Sequence, residues 1–82
     1  MRGMGTIAYV LIEVASDKAR SALKAIQKIP GVKMAHAVTG PYDIIAHVEA
    51  ANIDALGKVV LSKIRTITGI AKTLTCVAVE VR

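Results

Sequence analysis

Two histidines, His36 and His47, are the residues of this sequence best equipped for chemistry. They lie on either side of the turn Gly40-Pro41-Tyr42-Asp43, and a two-residue hairpin loop of Pro41 and Tyr42 would set them opposite each other on one sheet face. Glu49 stands two residues further along that face, so the three could form a metal site or an acid–base group. Two features oppose this. Proline cannot take the positive φ of the favoured two-residue turns, which points to a longer loop and a shifted register. The histidines also lack a third good ligand, so no metal or cofactor is expected. Two histidines buried or half-buried at a subunit interface are the plainer expectation.

The remaining polar residues are few. A carboxylate at Asp43, just before Ile44-Ile45, can cap the turn by accepting backbone N–H groups, or can face a pocket and hold an ammonium. Position alone leaves both open. Thr73 and Thr75 place two hydroxyls on one face of the last strand, although threonine favours strands in any case. Cys76 has apolar neighbours and reads as a small core hydrophobe. It is the only cysteine, so no disulfide forms within the chain. No phosphate-cradling glycine loop, C-x-x-C pair or serine-nucleophile motif occurs, and no catalytic machinery is visible.

The elements that must position these residues are legible from patterning. Thr6 to Val14 is apolar at both parities and suits a central strand. Ser16 offers an N-cap with Asp17 in the first turn, and Ala19, Ala22, Leu23, Ile26 and Ile29 recur at helical spacing until Pro30-Gly31. Val32 to Thr39 and Ile44 to Glu49 read as strands around the turn. Asn52 caps a second helix, whose apolar face runs through Ile53, Leu56, Val60, Ile64 and Ile67 to a stop at Gly69. Ile70 to Val81 is the last strand. The order βαββαβ contains an echo, with Ile26-x-x-Ile29-Pro30-Gly31-Val32 matching Ile64-x-x-Ile67-Thr68-Gly69-Ile70. Two interleaved split βαβ units predict an α+β, ferredoxin-like sandwich with both helices on one face of a four-stranded antiparallel sheet.

With 82 residues the chain holds one domain, ordered from about residue 6 to 82. It is 54% hydrophobic and 21% charged, too apolar for disorder and greasy for a small monomer. The bare sheet face, with a valine-rich last strand, calls for cover. A second copy packed sheet to sheet, a dimeric α+β barrel, is the simplest one. The net charge of +5 is spread rather than clustered, and Arg20, Lys24 and Lys28 read as a solvated helix face. Without Phe or Trp there is no platform for stacking bases. No apolar run is long enough for a membrane span, and the interruption at Glu13 argues against a signal peptide. Cytoplasmic residence is expected.

The stretch Val38-Thr39-Gly40-Pro41-Tyr42-Asp43-Ile44-Ile45 resembles the V-T-G-x-[YF]-D-[LIVY] hairpin of the RAM domain, the ligand-binding domain of Lrp/AsnC regulators. Gly31-Val32, Ile67-x-Gly69-Ile70-x-x-Thr73-x-Thr75 and the ending Glu80-Val81 fit as well, so the resemblance covers the chain from about Ile7. It implies a non-enzymatic sensor: dimers assemble further, often into octamers, and a free amino acid binds where dimers meet. Gly40, Tyr42 and Asp43 would line the site, with Thr73 and Thr75 as its complement. The first strand begins close to Met1, leaving no room for the family's helix-turn-helix. The expectation is therefore a stand-alone RAM protein without sequence-specific DNA binding, which could join full-length Lrp/AsnC regulators in mixed oligomers. Pro41 sits where relatives often carry acidic or small polar residues. Two other readings share the topology: a barrel enzyme using His36 and His47, and an ACT-like amino-acid-binding module with sheets joined side by side.

Overall fold

The computed structural model describes residues 5–79. Strand β1 (Thr6–Val14) is followed by helix α1 (Ala19–Gln27), strands β2 (Val32–Ala37) and β3 (Ile44–Ala50), helix α2 (Ile53–Lys58) and strand β4 (Ile70–Val77). Helix α2 runs on without a break into a wider π-helical stretch, Val59–Ile64. The strands form one antiparallel sheet in the order β2-β3-β1-β4, which is the ferredoxin-like arrangement expected from the βαββαβ pattern.

Alternation along the two central strands selects the core. Ala8, Val10 and Ile12 of β1 and Ile44, Ala46 and Val48 of β3 point to one side and are buried. Ala22 and Ile26 of α1, with Leu56, Val60 and Ile64 of the second helical segment, close over them. The largest fully buried side chains are Ile12, Ile26, Ile44, Ile64, Val10 and Val48. Burial of each contributes about 1.5–3 kcal/mol. Arg20, Lys24 and Lys28 lie on the exposed side of α1, as the stripe predicted.

The internal echo is a structural repeat. After each helix the chain makes the same turn: Ile29 N–H donates to Ile26 C=O and Ile67 N–H to Ile64 C=O, both at 3.1 Å. Val32 N–H then reaches Ile29 C=O at 3.0 Å, and Ile70 N–H reaches Ile67 C=O at 3.2 Å. The glycines inside these turns have φ of +99° and +98°, a region that side chains disfavour. Gly69 has a second constraint, because an added Cβ would sit 2.5 Å from the Cβ of Lys18. Both glycine carbonyls accept a strand-end N–H at 2.8 Å, Gly31 from Glu49 and Gly69 from Ala15.

Several boundaries differ from the sequence reading. Helix α1 starts at Ala19 with Lys18 at its N-cap, so Ser16 does not cap it and Asp17 lies before its first turn. The reason is that Ala15 remains tied to the sheet through Gly69, and Lys18 N–H bonds back to Ala15 C=O at 2.8 Å. A turn over Ser16 and Asp17 must come first. Strand β2 ends at Ala37 rather than Thr39, and Ile67 lies in the turn beyond the helix. Ile53 begins α2 but is exposed. Asn52 does cap α2, its Oδ1 accepting from Ala55 N–H at 2.8 Å. The end of the expected last strand, Glu80 and Val81, lies outside the described residues.

Candidate functional site

The hairpin between β2 and β3 is built around a four-residue loop, Thr39 to Tyr42, closed by Val38 N–H donating to Asp43 C=O at 2.9 Å. Proline thus gives the longer loop, and the register moves with it. Met34 faces His47, and His36 faces Ile45. The expected His36–His47 cross-strand pair does not form, because the histidines are diagonal neighbours on one face. A further irregularity at Lys33, between the Val32 and Met34 pairings, bends the start of β2.

Asp43 serves the structural role that its position allowed. Its Oδ2 accepts the backbone N–H of Val14 at 2.9 Å, and its own N–H donates to Ile12 C=O at 2.9 Å. The turn is therefore pinned to the end of β1, where the β1–β4 register breaks between Glu13 and Val14. Asp43 remains exposed, and a carboxylate has further lone pairs to offer a second donor. Gly40 holds φ of +131°, which turns the loop back toward β3.

Beside this turn lies a cleft of 420 Å³, lined by Leu11, Val38, Thr39, Pro41, Tyr42 and Ile45. Leu11 and Ile45 are cross-strand partners, so the cleft opens on the sheet face that the helices leave bare. Of the residues expected to bind a ligand, Gly40, Tyr42 and Asp43 are together in one turn. Thr73 and Thr75 are not with them in the protomer. They pair with Ile12 and Val10, whose side chains point to the helix-covered side. Thr75 borders a separate groove with Ile53, Leu56, Gly57, Val60, Leu61 and Val77.

This also corrects the expected composition of the bare face. Val77 shares the helix-side parity of Thr73 and Thr75, while Leu74 and Cys76 carry β4's contribution to the bare side. Cys76 is exposed there and is no core residue of the protomer. It pairs with Tyr9, which pairs with His47, which faces Met34, giving one row across the open face. Tyr9 is 44%, Leu74 46% and Met34 54% exposed, so a broad apolar surface faces outward.

Within that row the Tyr9 and His47 rings lie 5.2 Å apart at a tilt of 49°. His47 Nε2 is 3.2 Å from Glu49 Oε2, close enough for an ion pair when protonated. The atom is nevertheless buried without a hydrogen-bond partner, so the contact is one of proximity rather than a well-directed bond. His36 borders a separate depression with Lys33 and Met34. Among the described residues no group of three or more His, Cys, Asp or Glu is disposed to hold a metal ion. No helix among them is long and apolar enough to cross a membrane.

Comparison with known proteins adds lineage to this geometry. Residues 7–82 match the family model described as the Lrp/AsnC ligand binding domain. An uncharacterised HTH-type transcriptional regulator of Pyrococcus furiosus is 41% identical over 78 residues, which are 92% of this chain and 52% of the relative. The chain thus spans about half the length of the curated relatives it matches. A solved structure from Thermus thermophilus superposes with a TM-score of 0.89 at 31% identity, covering 94% of this chain and 96% of that one. Escherichia coli AsnC superposes with a TM-score of 0.88 at 30% identity, covering 95% of this chain and 53% of that one.

Proposed function

The chain belongs to the Lrp/AsnC ligand-binding-domain family, and from that premise we propose that it is a non-enzymatic sensor that binds a free amino acid or a related metabolite. The observation that carries this reading is the turn Gly40-Pro41-Tyr42-Asp43, pinned to β1 through Asp43, whose carboxylate stays exposed to a second donor. A zwitterionic ligand needs an acceptor for its ammonium and donors for its carboxylate. Asp43 supplies the first, and backbone N–H groups near Gly40 supply the second. Tyr42 borders the cleft from the same turn.

Thr73 and Thr75 lie toward the other side of the sheet, so they join the turn around one ligand only where copies of the chain meet. We place the ligand at such a contact. The bare face, with Tyr9, Leu11, Ile45 and Leu74, is the surface for a sheet-to-sheet homodimer, and dimers joined through their turns give a higher assembly such as an octamer. Ligand binding between dimers then shifts assembly by mass action. The curated relatives carry the name of HTH-type transcriptional regulators. Regulation of transcription in the cytoplasm, through mixed oligomers with full-length regulators, is the role we assign.

The enzyme alternative requires His36, His47, Tyr42 and Glu49 to converge. In the protomer His36 and Tyr42 border different depressions, and His47 packs on Tyr9 instead. The test is thermal melting of the intact chain against the twenty amino acids. A ligand at about 100 times its Kd adds about 2.7 kcal/mol. A clear shift that disappears in Asp43→Asn supports the sensor. A flat panel refutes it.

A further inference from the structure

We infer that the outer face of the helix layer docks on the phosphate backbone of duplex nucleic acid, without regard to base sequence. The net charge of +5 is scattered along the chain, but the fold gathers it. Residues 15–31 and 51–69, the helical segments with their flanking turns, hold seven bases and two acids; the remaining residues hold four bases and four acids and are neutral as a set. Arg20, Lys24 and Lys28 along α1 and Lys58, Lys63 and Arg65 along the second helical segment are all exposed. Among the described residues none of them pairs with a carboxylate, and the one ion pair is that of His47 with Glu49. Both segments pack on the same side of the sheet, so this charge looks away from the bare face and stays outward in a sheet-to-sheet dimer. The inference goes beyond the sensor reading and does not rest on it.

Chemistry selects the partner. Arg20, Lys24 and Lys28 follow one another by four residues, about 6 Å of helix axis per step, and each strand of a duplex presents a phosphate about every 3.4 Å of its axis. A row of bases thus meets a row of fixed negative charges and releases the condensed counterions. A lipid surface requires apolar side chains beside the bases, but the exposed residues between Ala19 and Lys28 are Arg20, Ser21, Lys24, Gln27 and Lys28. A protein partner requires an apolar centre in the patch, and lysine is depleted from such interfaces. With no Phe or Trp to stack on unpaired bases, a duplex fits better than a single strand. Contacts to phosphate carry no sequence information, so the binding is independent of sequence.

The experiment is fluorescence anisotropy of two unrelated labelled DNA duplexes titrated with the intact chain, with no amino acid present. Both should bind with similar, micromolar affinity at low salt. Three or more phosphate contacts give a slope of log affinity against log salt of about −2.7 or steeper, a weakening of about 40-fold between about 50 and 200 mM KCl. The decisive comparison removes the same charge from two places. Lys24→Gln/Lys28→Gln should weaken binding about tenfold and make the slope shallower by about 2, roughly 1 per lysine. Lys33→Gln/Lys72→Gln, on the sheet, should stay within about twofold of the wild type. All four lysines are exposed, so both variants should fold, and circular dichroism checks this. Equal losses in the two variants overturn the face assignment, because net charge alone then explains the binding. Absence of duplex binding at low salt overturns the proposal, as does binding to vesicles containing phosphatidylserine without binding to duplex, which assigns the face to a lipid surface. A strong preference for one duplex overturns sequence independence. Each of these outcomes leaves amino-acid sensing untouched.

Discussion

Replacing Asp43 separates two jobs that one carboxylate performs. Its Oδ2 accepts the Val14 N–H at 2.9 Å, which holds the turn against β1. A hydrogen bond to a charged group contributes about 1.5–3 kcal/mol when buried, and the exposure of Asp43 lowers this to about 1 kcal/mol. Asp43→Ala removes the acceptor and should lower Tm by about 4–8 °C, the scale for a domain of this size. Asp43→Asn retains a side-chain oxygen for Val14 and should melt within a few degrees of the wild type. Both variants lose the negative charge that pairs with a ligand ammonium, so both should lose the ligand-induced rise in Tm. The assay is differential scanning fluorimetry with and without the best ligand of the amino-acid panel. Two results refute the reasoning. If Asp43→Ala melts like the wild type, the bond to Val14 does not secure the turn. If Asp43→Asn still responds fully to ligand, the carboxylate is not the ammonium acceptor.

Other substitutions probe the frame and the assembly. Leu74→Lys places a charge on the bare face; the wild type should sediment at twice the 8.6 kDa protomer mass or an even multiple of it and the variant at a lower mass, and a monomeric wild type at micromolar concentration sinks the dimer. Gly69→Ala forces a Cβ against Lys18 at positive φ and should cost at least about 2 kcal/mol in chemical denaturation, more than Gly31→Ala, whose added Cβ would stand 3.1 Å from the Glu49 carbonyl oxygen. Asn52→Ala removes the cap of α2 and should cost about 1 kcal/mol, read from the denaturant midpoint.

Much of this architecture was legible in the residues. Periodicity placed β1, β3 and the repeated helix-stop turns, because apolar spacing and the Ile-x-x-Ile-x-Gly pattern are local signals that survive any packing. Asn52 was readable as a cap because its bond to Ala55 spans only three residues. The turn Gly40-Pro41-Tyr42-Asp43 stood out for the same reason, and its proline already argued for a longer loop. Ser16 looked like an equally good cap, yet the tie between Ala15 and Gly69, distant in sequence, delayed the helix.

Register, facing and partnership belong to tertiary structure. Whether His36 meets His47 depends on how many residues the loop consumes, and the four-residue loop slid the strands apart by one diagonal step. Cys76 and Val77 have similar local surroundings, but pairing with Tyr9 and Ala8 sends them to opposite faces. Asp43 finds Val14 twenty-nine residues away, a contact that no local pattern encodes. The sequence by itself determined which segments fold and where they stop, since those follow from propensity and period. Only the packed sheet decided which side chains share a face, because each strand's register is settled by its neighbours.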